Sequence, residues 1–211
     1  MVGDRKLANA PVLLASDAHQ QHAPILDVGT STTVEHVASS WRHPLPRRYK
    51  CNIDATFSSH SNRTCIGYCF RDSDGTFVLA KTVTYPCIVP VDVGEVLGLH
   101  AAVQWLSDMQ FNSVDFEMDS KLTVDAFLST KNDTSEFGSI ISSCRSLFSS
   151  VFSNSRVEFI RRQANRVAHA LARDALLLSS LAVYYDIHNC IEYLIINEML
   201  YVTARFSVQL F

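Results

Sequence analysis

The sequence lacks an excess of positive charge: 18 Lys and Arg against 21 Asp and Glu leave a net charge of −3 and a pI near 6.2. A global basic field able to drive nonspecific polyanion binding is thereby excluded, and any such binding must come from a local patch. Long hydrophobic runs are missing too. The most apolar late stretch, ALLLSSLAVYY, is broken by DIHN well short of a bilayer-spanning length. The N-terminal APVLLA is too short for a signal-peptide core. The six cysteines include no C-x-x-C pair and no zinc-ribbon spacing, so they read as reduced thiols packed like small apolar side chains. Without a secretory signal, the N-x-T sequons at Asn62 and Asn132 read as chance. No internal repeat is visible. These absences lead us to expect a soluble intracellular monomer with no membrane partner.

What is present is globular: 47% of residues are apolar, 18% are charged, and 211 residues suit one domain with extensions. Residues 1–40 show no sustained periodicity and are read as a poorly ordered leader. WRHPLPRRYK, with two prolines among basic residues, suits an extended entry into a domain spanning residues 41–178. CNIDATF, TCIGYCF and TFVLAKTVTY read as three consecutive antiparallel strands, the last two joined by a hairpin at Asp74-Gly75. DVGEVLGLHAAVQWLSDM is helical, with Asp92 as a possible cap and Val96, Leu99, Val103 and Leu106 on one stripe. SVDFEMDS alternates, placing Val114, Phe116 and Met118 on one face and Asp115, Glu117 and Asp119 on the other.

A short helix over about residues 121–129 follows, and then a second helix with a clean stripe of Phe137, Ile140, Ile141, Cys144, Phe148 and Val151. SRVEFIRRQ is a further strand, and NRVAHALARDALLL a helix with Asn165 as its cap. The order β-β-β-α-β-α-α-β-α predicts an α/β fold. Its five-stranded mixed sheet, three antiparallel strands and then parallel additions, is flanked by helices. Residues 179–211 are expected to form a C-terminal helical extension. Ile187, Ile191, Leu194 and Ile195 there line one face of an amphipathic helix.

Three acids stand out. Asp54 lies mid-strand in apolar company, where an ionised carboxylate costs several kcal/mol unless compensated. Glu95 shares a helical face with Leu99, Ala102 and Leu106, although a first-turn acid is also explained by the helix dipole. Asp119 sits where a strand gives way to a helix, and by itself it reads as an N-cap. If the strands of Asp54 and Asp119 run parallel, the two acids emerge side by side, and the crossover helix presents Glu95 to the same spot. Such a cluster would raise its own pKa values and invite oxygen-preferring divalent cations, the arrangement used in two-metal phosphodiester hydrolysis.

At this point the sequence resembles a known family, the type 1 ribonuclease H domain, and within it the plant branch related to retroelement reverse transcriptases. KCNIDATF is similar to the family's K-x-N-x-D-G-A, with Ala55 in the glycine position, and RDSDG to its hairpin. GEVLGLHAAVQWL is similar to A-E-x-x-A-L-x-x-A-L, FEMDS to x-E-x-D-S, and RRQANRVAHALARDA to R-x-x-N-x-x-A-H/D-x-L-A.

The resemblance covers about residues 41–178. It implies a divalent-metal endonuclease, using two Mg²⁺ or Mn²⁺ ions, that cuts the RNA strand of an RNA–DNA hybrid. Asp54, Glu95 and Asp119 match the first three acids of the metal cluster, Asp54 and Asp119 bridging the ions and Glu95 positioning one of them. The fourth position holds His169, a poor Mg²⁺ ligand that suits Mn²⁺ better. Asp174 faces away and cannot replace it. Arg161, Arg162 and Arg166, with Arg156 and Arg173 nearby, read either as phosphate contacts or as a solvated charged face. The alternative is a domesticated retroelement fragment, a nucleic-acid-binding or scaffold module that His169 has impaired.

Overall fold

A computed structural model describes residues 39–178 and 180–208, with residues 201–208 described as backbone alone. The expected leader therefore lies outside the described residues except for its last two. Strand β1, Tyr49–Ser58, pairs antiparallel with β2, Arg63–Arg71, which pairs antiparallel with β3, Phe77–Tyr85. The β2–β3 turn is pinned by Asp72, whose Oδ1 accepts from Asp74 N at 3.0 Å and Thr76 N at 2.9 Å. Gly75 takes φ +79° there, and a Cβ on it would lie 2.8 Å from the His43 ring.

Helix α1, Val91–Asp108, crosses over to β4, Val114–Met118, which lies parallel to β1. Then come α2, Lys121–Leu128, α3, Glu136–Val151, and β5, Arg156–Phe159, parallel to β4. Helix α4, Arg166–Asp174, precedes β6, Ala182–Tyr184, and α5, Asn189–Val208.

The expected antiparallel-then-parallel topology is present, but the sheet has six strands, in the order β5-β4-β1-β2-β3-β6. The sixth, β6, pairs antiparallel with β3, so the extension expected to be helical begins with a strand. Three residues inside ALLLSSLAVYY have no period of their own, and only the open edge of β3 makes them a strand. Two caps also differ from expectation. Helix α1 starts behind Pro90, with Asp92 in its first turn. Helix α2 is capped by Ser120, whose Oγ accepts from Thr123 N at 3.4 Å, and this leaves Asp119 uncommitted to a helix.

One face of the sheet is apolar. Ile53, Ile66, Tyr68, Phe70, Val114, Phe116 and Met118 are fully buried beneath α1 and α3, against Leu99, Val103, Leu106 and Cys144. Edge-on and tilted rings of Phe116, Phe148 and Phe152 close one end of this core. Each fully buried side chain of this size contributes roughly 1.5–3 kcal/mol.

The opposite face carries α4 and α5. Cys69 and Ala80 of the sheet meet Val167, Leu171, Ile191 and Ile195 there, so two of the expected stripe residues of the extension, Ile191 and Ile195, are buried. Ile187 precedes α5 and is exposed. Trp41, in the stretch expected to be a simple entry segment, is buried, with the Arg71 guanidinium carbon 3.4 Å from its ring centroid. Cys51, Cys65, Cys69 and Cys144 are buried, Cys190 is half-buried and Cys87 is exposed. Among the described residues no helix is long and apolar enough to cross a membrane.

Candidate active site

The parallel register of β1 and β4 ends with Ile53 opposite Met118. The next residues on the two strands are Asp54 and Asp119, so the pairing itself delivers two carboxylates to one place, close enough for Asp119 to raise the Asp54 pKa. Glu95, in the second turn of α1, comes close enough to raise the Asp54 pKa and to have its own raised by Asp119.

Helix α4 supplies the fourth group. It lies so tightly on β2 that a Cβ at Gly67 would collide with the backbone of Ala168 and Ala172. Gly67 is the cross-strand partner of Asp54, so this close approach brings His169 onto the site. His169 Nδ1 stands 2.9 Å from Asp54 Oδ2. Glycine at position 67 is required by contact, because any side chain would push the helix and its histidine away.

Electrostatics set this cluster apart. Asp54 is 2% exposed. Burial, with the like charges of Asp119 and Glu95, pushes its carboxyl up to about 9. Burial and Asp119 raise Glu95 to about 8. His169 is lowered by burial and by the cations Arg162 and Arg173, so its imidazole is neutral at pH 7. The nearest cation, Arg162, reaches only 3.8 Å from Asp119 Oδ2, and its side chain is 63% exposed. That geometry is weak compensation for three acids. Arg162 Nη2 also lies 3.1 Å from His169 Nε2.

Asp115 and Glu117, on the same side of β4, are treated differently. Arg48 Nε donates to Asp115 Oδ2 at 3.1 Å, and Arg156 Nη2 lies 3.3 Å from the same oxygen. Burial alone would raise Asp115, yet the two guanidiniums outweigh it and hold the carboxyl below its usual value. Glu117 accepts from Lys50 Nζ at 2.7 Å and from Asn52 Nδ2 at 2.9 Å. Burial still raises its pKa, with Lys50 working against the shift. Asn52 Oδ1 accepts in turn from Arg71 at 2.9 Å, and Arg71 pairs with Glu198 of α5 at 2.6 Å.

A divalent cation suits what remains at Asp54. Glu95 Oε2 is buried without a hydrogen-bond partner, and the donors are three carboxylates and one neutral imidazole. Oxygen donors of this kind serve Mg²⁺ and Mn²⁺, and the imidazole favours the latter. The four groups are spread more widely than a closed coordination shell. Among the described residues, the set whose ligand atoms all lie within 4.8 Å of one another is a different one, Asp174, His188 and Cys190.

Asn165 is the residue that sequence reasoning assigned to another task. Expected as the cap of α4, it makes no side-chain cap bond. Its Nδ2 donates instead to Ile53 O at 2.8 Å and to Asp119 Oδ1 at 3.1 Å, tying α4 to β1 and to one of the acids. The spacing of Asn165 four residues before His169 was the available signal, since one helical turn brings both toward the same strands. Of the arginines, Arg162, Arg166 and Arg173 line a cleft of about 380 Å³ with His169 and Leu194. Arg161 is exposed and does not line it. Arg156 is committed to Asp115.

The profile of the family described as reverse transcriptase-like matches residues 52–175. No curated protein matches the chain. Among solved structures, ribonuclease H1 of the halophilic archaeon Halobacterium salinarum shares 21% identity over 61% of this chain and 97% of its own, with a TM-score of 0.55. The N-terminal ribonuclease H domain of Rv2228c from Mycobacterium tuberculosis shares 20% identity over 61% and 93%, with a TM-score of 0.53. LC11 ribonuclease H1, isolated from compost and solved with an RNA/DNA hybrid, shares 16% over 61% and 96%, with a TM-score of 0.54. The sheet order, the crossover helix and the packing of α4 are those of the ribonuclease H fold, and with more than half its length matched the chain belongs to the reverse transcriptase-like family.

Proposed function

We propose that the protein is a divalent-metal-dependent endonuclease that hydrolyses the RNA strand of RNA–DNA hybrids. The observation that carries this reading is the convergence of Asp54, Glu95 and Asp119, buried or half-buried acids that, among the described residues, are met only weakly by the mostly exposed guanidinium of Arg162. Asp54, Asp119 and Glu95 would hold the ions, with His169 at the fourth corner. Two divalent cations there would supply activation of the attacking water and stabilisation of the leaving oxygen.

The chain's own groups do the rest. Asn165 fixes Asp119 against β1, so the two strand acids keep their relative position. Arg162, Arg166 and Arg173 present guanidiniums to the substrate backbone beside the acids, where bidentate contact with phosphate suits them. Selection of the RNA strand would come from 2′-hydroxyl contacts across the wide minor groove. We place this chemistry in the domain of residues 41–178, acting as a monomer, with β6 and the first turns of α5 packed on it.

A second reading, a nucleic-acid-binding module without turnover, has one observation in its favour. His169 occupies an oxygen of Asp54 directly, at 2.9 Å, where the resemblance leads one to expect a carboxylate. The test is cleavage of a labelled RNA–DNA hybrid by purified protein in Mg²⁺ and separately in Mn²⁺, beside Asp54→Asn. Cleavage lost in the variant, and stronger with Mn²⁺, is the expected result. No cleavage with either ion by folded protein, followed by recovery in His169→Asp, would establish the second reading.

A further inference from the structure

We propose that Asp174, His188 and Cys190 form a binding site for a borderline-soft divalent transition ion such as Zn²⁺. Asp174 is the last residue of α4, His188 immediately precedes α5, and Cys190 lies in its first turn. His188 Nδ1 stands 3.2 Å from Cys190 Sγ and 3.8 Å from Asp174 Oδ2. All three ligand atoms lie within 4.8 Å of one another. Bonds of about 2.0–2.3 Å at tetrahedral angles hold neighbouring donors roughly 3.3–3.6 Å apart, and the two measured separations bracket that range.

The donor set argues for the class of ion. Thiolate and imidazole disfavour Mg²⁺ and Ca²⁺ and select zinc-like ions. One thiolate and one carboxylate balance a divalent charge, with neutral imidazole as the third ligand. Binding converts the Cys190 thiol to a metal-bound thiolate and releases its proton to solvent, with no change of oxidation state. The imidazole is already oriented. Its ring rests 4.6 Å, centroid to centroid, from that of Tyr184 in β6, and Ile191 N donates to His188 O at 2.9 Å. All three side chains are half-buried, shielded yet reachable. Three protein ligands leave the fourth position for water. The ion would clip the start of α5 to the end of α4, holding the extension against the domain.

The experiment is titration of the full-length protein with Co²⁺ alone. A thiolate-to-cobalt charge-transfer absorption should appear and be removed by Zn²⁺. Cys190→Ser should abolish it, and His188→Gln should weaken Co²⁺ affinity by about tenfold or more. Asp54→Asn should leave the absorption intact, because the acid cluster contains no thiolate; failure of the nuclease reading is thereby kept separate. A measurement on wild-type protein covers any misfolded variant: Zn²⁺ should slow alkylation of Cys190 about tenfold or more while exposed Cys87 reacts at an unchanged rate. Absence of the absorption in wild type, its survival in Cys190→Ser, or unprotected Cys190 overturns the proposal.

Discussion

Along β4, Asp115 and Glu117 are met by cations from neighbouring elements, whereas Asp119 at the strand's end is met by two further carboxylates. The three acids of β4 and Asp54 stand on the side of the sheet opposite the apolar core, Glu95 reaching the cluster from α1, and burial works against the charged forms of Asp115, Glu117, Asp54 and Glu95 alike. The first pair is neutralised within the fold. Arg48 and Arg156 take Asp115, Lys50 takes Glu117, and the chain of contacts runs on through Asn52 and Arg71 to Glu198. At the second group the guanidinium that approaches, Arg162, is mostly exposed and 3.8 Å away. The difference teaches that a buried acid is informative according to what balances it. Where the fold supplies the counter-charge, the acid holds structure together; where it does not, something from outside the chain is called for.

The largest expected effect tests the balanced side. Lys50→Met leaves Glu117 buried with Asn52 as its only strong partner and should cost about 3–5 kcal/mol in urea unfolding. A loss within experimental error would show that Glu117 needs no counter-charge, and the contrast with Asp54 would fail.

The unbalanced side should respond to pH with the opposite sign. Asp54 titrates near 9 folded and in the ordinary carboxylate range unfolded, so between those values the folded chain holds more protons. Stability of protein in EDTA should therefore fall as pH rises through that window, by about 1.4 kcal/mol per pH unit for each such group. Asp54→Asn should flatten the slope, as should Mn²⁺. Asp115, held below its usual value, works the other way: its contribution is present above the unfolded pKa and disappears as pH falls through the folded one. Urea midpoints measured from pH 5 to pH 9, a range set by these shifts, would sink the account if stability rose with pH in EDTA.

Asn165→Ala sits between the two groups in effect. Removing the bridge from Ile53 O to Asp119 should lower hybrid cleavage about 10–100-fold while leaving hybrid affinity nearly unchanged. A variant that cleaves normally would reduce Asn165 to a packing residue. The smallest effect is expected from Arg156→Gln. Its side chain is 51% exposed and Arg48 remains on Asp115, so the loss should stay below about 1 kcal/mol in the same unfolding assay.

Much of the architecture is legible in local pattern. Alternation in SVDFEMDS sorts its apolar and acidic residues onto opposite faces, and the strand–helix–strand order from β1 through α1 to β4 requires parallel pairing. Parallel register then carries Asp119 to Asp54. Less could be read at the edges. The three residues of β6 are too few for a period, and Trp41 gave no sign that Arg71 would stack on it. Asn165 matched a capping pattern so well that its bonds to Ile53 and Asp119 were invisible, because capping is a local rule and those partners are over forty residues away.

Periodicity and residue type, which act over a few neighbours, were enough to specify β1 to β5, the helices between them and their order, and to mark Asp54, Glu95 and Asp119 as residues needing explanation, while His169 was marked by the family resemblance. Which acids are balanced was settled by packing. Arg48 and Lys50 at the start of β1, Arg71, Arg156 and Glu198 come from four separate segments, and Coulomb energy depends on distance in space rather than along the chain. The same holds for Asp174, His188 and Cys190, which become neighbours only where α5 begins beside the end of α4.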